Sequence, residues 1–182
     1  IPGGGAGPIH ACLICNELAI PLQSVPREAS VLCAFGMLMC ELRHDFVRTF
    51  VARLERLDWA RLALLVETMA SEGTKLLGEE GITPARRRIE LRLDCRYIKQ
   101  YHEVSVPVPM ALIERRDAAE IGRAFHAEHQ RLYGYALEAE ASPVEIINVR
   151  LQAIGATDRP AYRHQAAGEA DAGAALKGWR SV

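Results

Sequence analysis

The chain has 182 residues, with 22 Lys and Arg against 23 Asp and Glu, for a net charge of −1. That balance gives no electrostatic argument for a nucleic-acid partner or an anionic membrane. Its 49% hydrophobic and 25% charged content is ordinary for a globular protein long enough to build a real core, and no stretch approaches the ~20 uninterrupted apolar residues of a membrane span.

In chain order, Gly4, Gly5, Ala6, Gly7 and Pro8 come first and run into an apolar segment. A glycine cluster ahead of a helix exposes backbone N–H groups at the helix start, a cradle suited to an anion or nucleotide. The same pattern also serves as a plain turn. Pro8 to Leu18 reads as a first helix, with Pro8 in the first turn, where its missing N–H costs nothing. Ala19 to Pro26 reads as a short buried strand and turn. Ala29 to Leu42 is apolar on most faces and reads as a helix buried between other elements. His44 and Asp45 follow, flanked by Arg43 and Arg48. They are weak candidates for a catalytic pair, since charge partners shift titration. A structural ion-pair cluster is the favoured reading, because nothing in the sequence brings a nucleophile there.

Asp58 is suited to cap a helix whose apolar stripe is Trp59, Leu62, Ala63, Val66, Met69, Ala70 and Leu77, with Gly78, Gly81 and Pro84 as stop signals. Arg86, Arg87 and Arg88 read as a solvated approach to a strand. The period then becomes two. Ile89, Leu91, Leu93, Cys95 and Tyr97 alternate with Glu90, Arg92, Asp94 and Arg96, the pattern of a half-buried strand with one wet face. Tyr97, Gln100, Tyr101, His102 and Glu103 lie in the link to a second strand at Val104, Val106 and Val108. Pro107 and Pro109 place that strand at an edge or at its end.

Asp117 with Glu120 makes a capping box for a helix carrying Ile121, Ala124, Phe125 and Leu132, ended by Gly134. His126 and His129 sit on this helix, but their spacing is not that of a zinc-binding H-E-x-x-H. His129 reads as a partly buried, hydrogen-bonded side chain. A third strand spans Ile147, Val149, Leu151 and Ala153. Strand, strand, helix and strand pack most simply as a small antiparallel sheet with helices on one face, an α+β arrangement. After Gly155 the composition turns to Ala, Gly and charge, a linker or tail whose Ala166–Leu176 stretch reads as mobile. Cys12 and Cys15 form a C-x-x-C pair near His10, but no second ligand pair follows, so core thiols are favoured over a metal. No metal site is expected. The odd number of cysteines fits free thiols in the cytoplasm.

Four blocks carry a family resemblance beyond the glycine turn. They are VPREASVLCAFGMLMCELRHDFVR (Val25 to Arg48), DCRYIKQYHEVSVPVP (Asp94 to Pro109), FHAEHQRLYGYAL (Phe125 to Leu137) and PVEIINVRLQAIG (Pro143 to Gly155). In this order they resemble the hydantoinase A / 5-oxoprolinase family, which includes N-methylhydantoinases and the beta subunits of acetone-carboxylase-type enzymes. Residues 1–57 would then be the remnant of the second, helical lobe of an actin/heat-shock-chaperone/sugar-kinase-like ATPase. An α+β domain would follow at 58–155, and a linker or extended tail at 156–182.

The resemblance implies a piece of an ATP-dependent enzyme that opens cyclic amides such as a hydantoin or 5-oxoproline. It brings ATP and magnesium as cofactors, with Gly4, Gly5, Ala6, Gly7 and Pro8 near the nucleotide. It also implies a hydantoinase B-type partner subunit and a homo-oligomer. The family's acidic Asp-x-Gly-Gly-Thr phosphate loop does not occur in this sequence, so the segment alone is expected to be inactive. The alternative is a docking and assembly module of a ketone-carboxylase beta subunit. Two departures stand out. Lys99 occupies a position where the family usually has glycine, and Val25 to Ser30 lacks the family's further proline and glycine.

Overall fold

The sheet is assembled from four strands that the chain visits out of spatial order. In a computed structural model that describes residues 1–138, 142–161, 173 and 177–179, β1 (Leu42–Arg53), β2 (Arg87–Tyr97), β3 (Val104–Pro107) and β4 (Val144–Gly155) lie in the order β1-β4-β2-β3. All neighbours are antiparallel. The last strand in sequence is thus central, hydrogen-bonded to β1 on one side and β2 on the other. The proline-bearing β3 forms an edge, as its missing N–H donors require. This α+β architecture agrees with the sequence reading, except that the sequence pattern suggested three strands.

The strand that escaped the pattern is β1. Its apolar residues Phe46 and Phe50 are buried, but His44 and Arg48 interrupt the alternation. An edge strand tolerates this, because its polar side chains can reach across to a helix. The sheet therefore begins at Leu42 and draws on residues both before and after position 57.

Two helices cover one face of the sheet. Helix α3 (Trp59–Glu79) starts at Asp58, whose carboxylate accepts a hydrogen bond from the Arg61 N–H at 3.0 Å. It buries Leu62, Val66, Met69, Gly73 and Leu77, a stripe at helical spacing. Helix α5 (Ala118–Tyr133) is capped in the same way by Asp117 onto the Glu120 N–H at 2.9 Å. It ends at Gly134 with φ of 80°, the left-handed geometry that glycine adopts without penalty. It buries Ile121, Gly122, Phe125 and His129, while Leu132, expected in the core, is 49% exposed. A single turn of helix, α4 (Met110–Glu114), adds Leu112 and Ile113 to the core.

The N-terminal segment departs most from expectation. Helix α1 (Gly7–Glu17) forms as its sequence suggests, but Ala19 to Pro26 is not a strand. The presumed buried helix at 29–42 is a 3-10 turn (Ala29–Val31) followed by α2 (Leu32–Met39), and α2 has no buried residue. Ile9, Leu13, Leu22, Met37 and Leu38 are likewise exposed. Apolar composition signals that a surface is normally covered, but it does not say which polypeptide covers it. The cysteines correct in the same sense: Cys12, Cys33 and Cys40 are exposed, and only Cys95 is buried. The stretch Ala166–Leu176, expected to be mobile, lies outside the described residues apart from residue 173.

The link between β2 and β3 turns on a strained residue. Gln100 N–H donates to the Tyr97 carbonyl at 3.0 Å, closing a four-residue turn whose third member, Lys99, has φ of 77°. Type II turns give that position to glycine, because a Cβ there crowds the backbone. The left-handed conformation costs an L-residue roughly 1–2 kcal/mol. Replacing Lys99 with glycine should therefore raise stability by about 0.5–1 kcal/mol, after allowing for glycine's freer unfolded chain. Denaturant unfolding checks this, and a loss of stability would show that the lysine side chain contributes more than the strain costs.

Candidate functional site

The glycine turn sits where the sequence placed it. Gly4 has φ of 83° and donates its N–H to the Ala29 carbonyl at 2.7 Å, which ties the turn to the start of the 3-10 segment. Helix α1 then starts at Gly7 with Pro8 in its first turn, and no side chain caps it. Its first N–H groups thus keep the anion-attracting character of an open helix start. A Cβ built on Gly4 or Gly5 meets nothing within 4 Å, so the space in front of these two residues is free. The helix-start donors that no side chain caps fit an anionic group such as a nucleotide phosphate. They do not fit magnesium, because Gly4 to Pro8 carries no side-chain oxygen, and among the described residues no three His, Cys, Asp or Glu side chains converge as a metal site would require.

His44 and Asp45 are not brought together. Strand alternation sends them to opposite faces of β1. His44 Nε2 lies 2.8 Å from Glu80 Oε2 at the end of α3, while Asp45 Oδ1 accepts from Gln152 Nε2 at 2.6 Å on the sheet's open face. The flanking arginines are also tied into the fold, Arg43 to Glu41 at 3.4 Å and Arg48 to Glu72 at 3.3 Å. Glu41 is gripped chiefly by Arg88, at 2.7 and 2.8 Å, whose guanidinium holds its carboxyl down at about 2.

The open face carries a buried charge that the sequence pattern misses. Asp94, read as solvent-facing, is 2% exposed. Arg150 Nε donates to both its oxygens, at 2.9 and 2.6 Å, and Asn148 Nδ2 donates at 3.2 Å. Asp94 pairs directly with Asn148 across β2 and β4, and there the register shifts, because Cys95 next pairs with Ile146. This β-bulge at Ile147 also explains why the buried residues of β4 change phase from Ile146 to Val149. Burial pushes the neighbouring Cys95 thiol up to about 12, which leaves it an unreactive core residue.

A second cluster gathers residues that the sequence lists separately. Tyr97, 1% exposed, accepts the Leu137 N–H at 2.8 Å and lies 2.7 Å from His126 Nδ1. Its ring meets Phe125 edge-on at 4.8 Å between centroids. His129, 2% exposed, places Nδ1 at 2.8 Å from the Tyr135 carbonyl and Nε2 at 3.3 Å from Gln100 Oε1. Histidines one helical turn apart thus pin both the β2–β3 turn and the chain after α5. Burial holds His126 below the usual histidine range, with His129 adding to the shift and Glu138 opposing it. The folded state therefore favours neutral His126. Its contribution to stability is complete above the unfolded value near 6.5 and is lost as pH falls below it. Melting temperature should drop on going from pH 7 to about 5.5, with a smaller drop in His126→Gln. Equal drops in both would assign the acid sensitivity elsewhere.

With this geometry in hand, comparison with known proteins places the chain. Residues 1–46 match the hydantoinase/oxoprolinase family model. The chain is 30% identical over 163 residues to the caprolactamase subunit alpha of Pseudomonas jessenii, covering 88% of this chain and 23% of that protein. A 5-oxoprolinase of Pestalotiopsis fici is 27% identical over 151 residues, covering 81% of this chain and 11% of its own length. The crystal structure of the ATP-dependent caprolactamase from Pseudomonas jessenii superimposes with a TM-score of 0.68 at 28% identity, over 94% of this chain and 25% of the other. Acetone carboxylase in its nucleotide-free state shares the fold, with a TM-score of 0.67 at 20% identity over 88% of this chain and 24% of the other. The same architecture thus occurs in the caprolactamase and in acetone carboxylase. The chain belongs to the hydantoinase/oxoprolinase family, and it spans at most about a quarter of the length of these relatives.

Proposed function

We propose that the full-length protein hydrolyses a cyclic amide in a reaction coupled to ATP hydrolysis, with Gly4 to Pro8 contributing backbone contacts to the nucleotide. The observation that carries this reading is the glycine turn at the uncapped start of α1, inside the stretch that matches the family model. An amide carbonyl is a poor electrophile. Transfer of the γ-phosphoryl group to its oxygen, with ADP leaving, makes the carbonyl carbon electrophilic. Water adds there, the ring C–N bond breaks as the nitrogen takes up a proton, and a second water releases phosphate from the resulting acyl phosphate. In this scheme Gly5 and Gly7 offer N–H contacts to the nucleotide, while Gly4, whose N–H is held by the Ala29 carbonyl, allows its close approach. Magnesium, which offsets phosphate charge, is held by residues outside this chain.

Residues before Leu42 act as part of an actin/heat-shock-chaperone/sugar-kinase-like lobe, and the sheet beginning at Leu42 forms the α+β domain beside it. The exposed apolar side chains of α1 and α2 are covered in the full-length protein. The protein works in the cytoplasm, where its free cysteines stay reduced, and it associates with a hydantoinase B-type partner and with further copies of itself. Support for such assembly comes from the edge strand β1, where Val47 and Val51 are exposed. This feature also favours a second reading, a docking module whose removal separates the subunits while leaving the nucleotide site intact.

Gly5→Val separates these readings. Gly5 lacks a positive φ, and its Cβ direction is empty, so valine there leaves this chain's own packing untouched and meets only a ligand. In the full-length protein we expect the KM for ATP to rise about tenfold, equivalent to roughly 1.4 kcal/mol, with an unchanged melting temperature. An unchanged KM would remove the turn from the nucleotide site.

A further inference from the structure

A cavity of about 360 Å³ opens at the β2–β3 turn, lined by Lys99, Gln100, Tyr101, His129, Tyr133 and Tyr135 among others. Its volume lies in the range of small-molecule sites. The polar groups of its floor are bound to one another. His129 is fixed between the Tyr135 carbonyl and Gln100, and Gln100 Nε2 donates to the Tyr135 hydroxyl at 3.2 Å. The His129 ring lies 4.8 Å from those of both Tyr133 and Tyr135, which makes the walls rigid and aromatic. Tyr101, at 90% exposure, stands at the rim with nothing to pack against.

Among the described residues of the lining, what remains unused is ring surface, the His102 imidazole and one lysine cation. That cation is Lys99, the residue held at φ of 77° in a turn position that would favour glycine. Backbone strain retained beside a cavity points to a role for the side chain that bears it. We propose that this cavity binds a small planar aromatic or heteroaromatic carboxylate, which stacks on Tyr133 and Tyr135 while its carboxylate pairs with the Lys99 ammonium. Tyrosine faces supply stacking energy that a non-planar ring does not collect. An ammonium at the rim discriminates charge and leaves the floor's hydrogen bonds intact. The site lies at the far end of β2 and α5 from the β1 residues His44 and Asp45, and it does not depend on the nucleotide reading.

Ligand-observed NMR on the full-length protein tests this with three probes, benzoate, benzamide and cyclohexanecarboxylate. Benzoate should bind at least about fivefold more tightly than either control, the scale of one partly exposed ion pair or one stacking contact. Lys99→Asn keeps a residue that tolerates the left-handed turn but removes the charge, and it should erase the preference for benzoate over benzamide. Lys99→Arg should retain it, and Tyr133→Ala should weaken benzoate and benzamide together. Benzoate binding that is equal in the parent and in Lys99→Asn would overturn the proposal. So would equal binding of benzoate and cyclohexanecarboxylate, or no benzoate binding at millimolar concentration.

Discussion

Replacing Arg150 with alanine should destabilise the fold by about 3–5 kcal/mol, the cost of leaving a buried charge without its partner. Asp94 is 2% exposed, and Arg150 supplies its charge-assisted contacts through Nε. With Arg150 gone, Asn148 alone remains to hold a carboxylate that cannot reach water. The reverse substitution should cost less. Asp94→Asn leaves a neutral amide of the same shape, and the Arg150 side chain, 45% exposed, can return to solvent. Its expected cost is about 1–2 kcal/mol, the net value of hydrogen bonds to a charged group. Denaturant unfolding of the two variants checks the asymmetry. Equal losses, or a larger loss for Asp94→Asn, would mean that Asp94 is not held as a charge.

A pair of alanine substitutions on the two helices should change stability in opposite directions. At Gly73 a Cβ would sit 2.5 Å from the Ala153 Cβ and 3.1 Å from Phe46 Cε2. Helix α3 therefore crosses the central strand at a point that admits only glycine. Neither backbone can yield without disturbing the layer, so Gly73→Ala should cost about 1–3 kcal/mol or more through overpacking. At Gly122 on α5 the nearest atom to a built Cβ is Leu54 Cδ2 at 3.5 Å, an ordinary contact. Gly122→Ala should then gain about 0.5–1 kcal/mol from helix propensity alone. Thermal melts of the two variants read this directly. A stabilised Gly73→Ala would show that α3 rides high enough over the sheet to admit a Cβ at residue 73.

The elements that could be read from the sequence were those whose signal is local. Asp58 and Asp117 cap their helices, Gly134 ends one, and the alternation from Ile89 to Tyr97 marks its strand, because each rests on a short-range hydrogen bond or on side-chain period. Strand β1 could not be read so, since His44 and Arg48 occupy core-side positions by reaching Glu80 and Glu72 on a helix distant in sequence. Asp94 was misread for a similar reason. Its pattern position is solvent-facing, but Arg150 and Asn148 close over it from the neighbouring strand β4. The apolar run at 29–42 suggests a buried helix, yet α2 has no buried residue, because composition does not say which polypeptide covers a surface. At the candidate site, the glycine turn was visible as a motif, and His44 and Asp45 were visible only as neighbours in sequence. The aromatic cavity had one sequence signal, a lysine where the resemblance expects glycine, and that signal becomes meaningful only once φ at Lys99 is known.

The central claim is that ATP hydrolysis and cyclic-amide opening are one coupled reaction in the full-length protein. The direct measurement follows phosphate release and ring opening together, with the partner subunit present, for a panel of lactams and hydantoins with and without ATP. Coupling predicts that a cyclic amide is opened only when ATP is supplied, with phosphate released in step with ring opening. Ring opening at full rate without nucleotide would contradict the account.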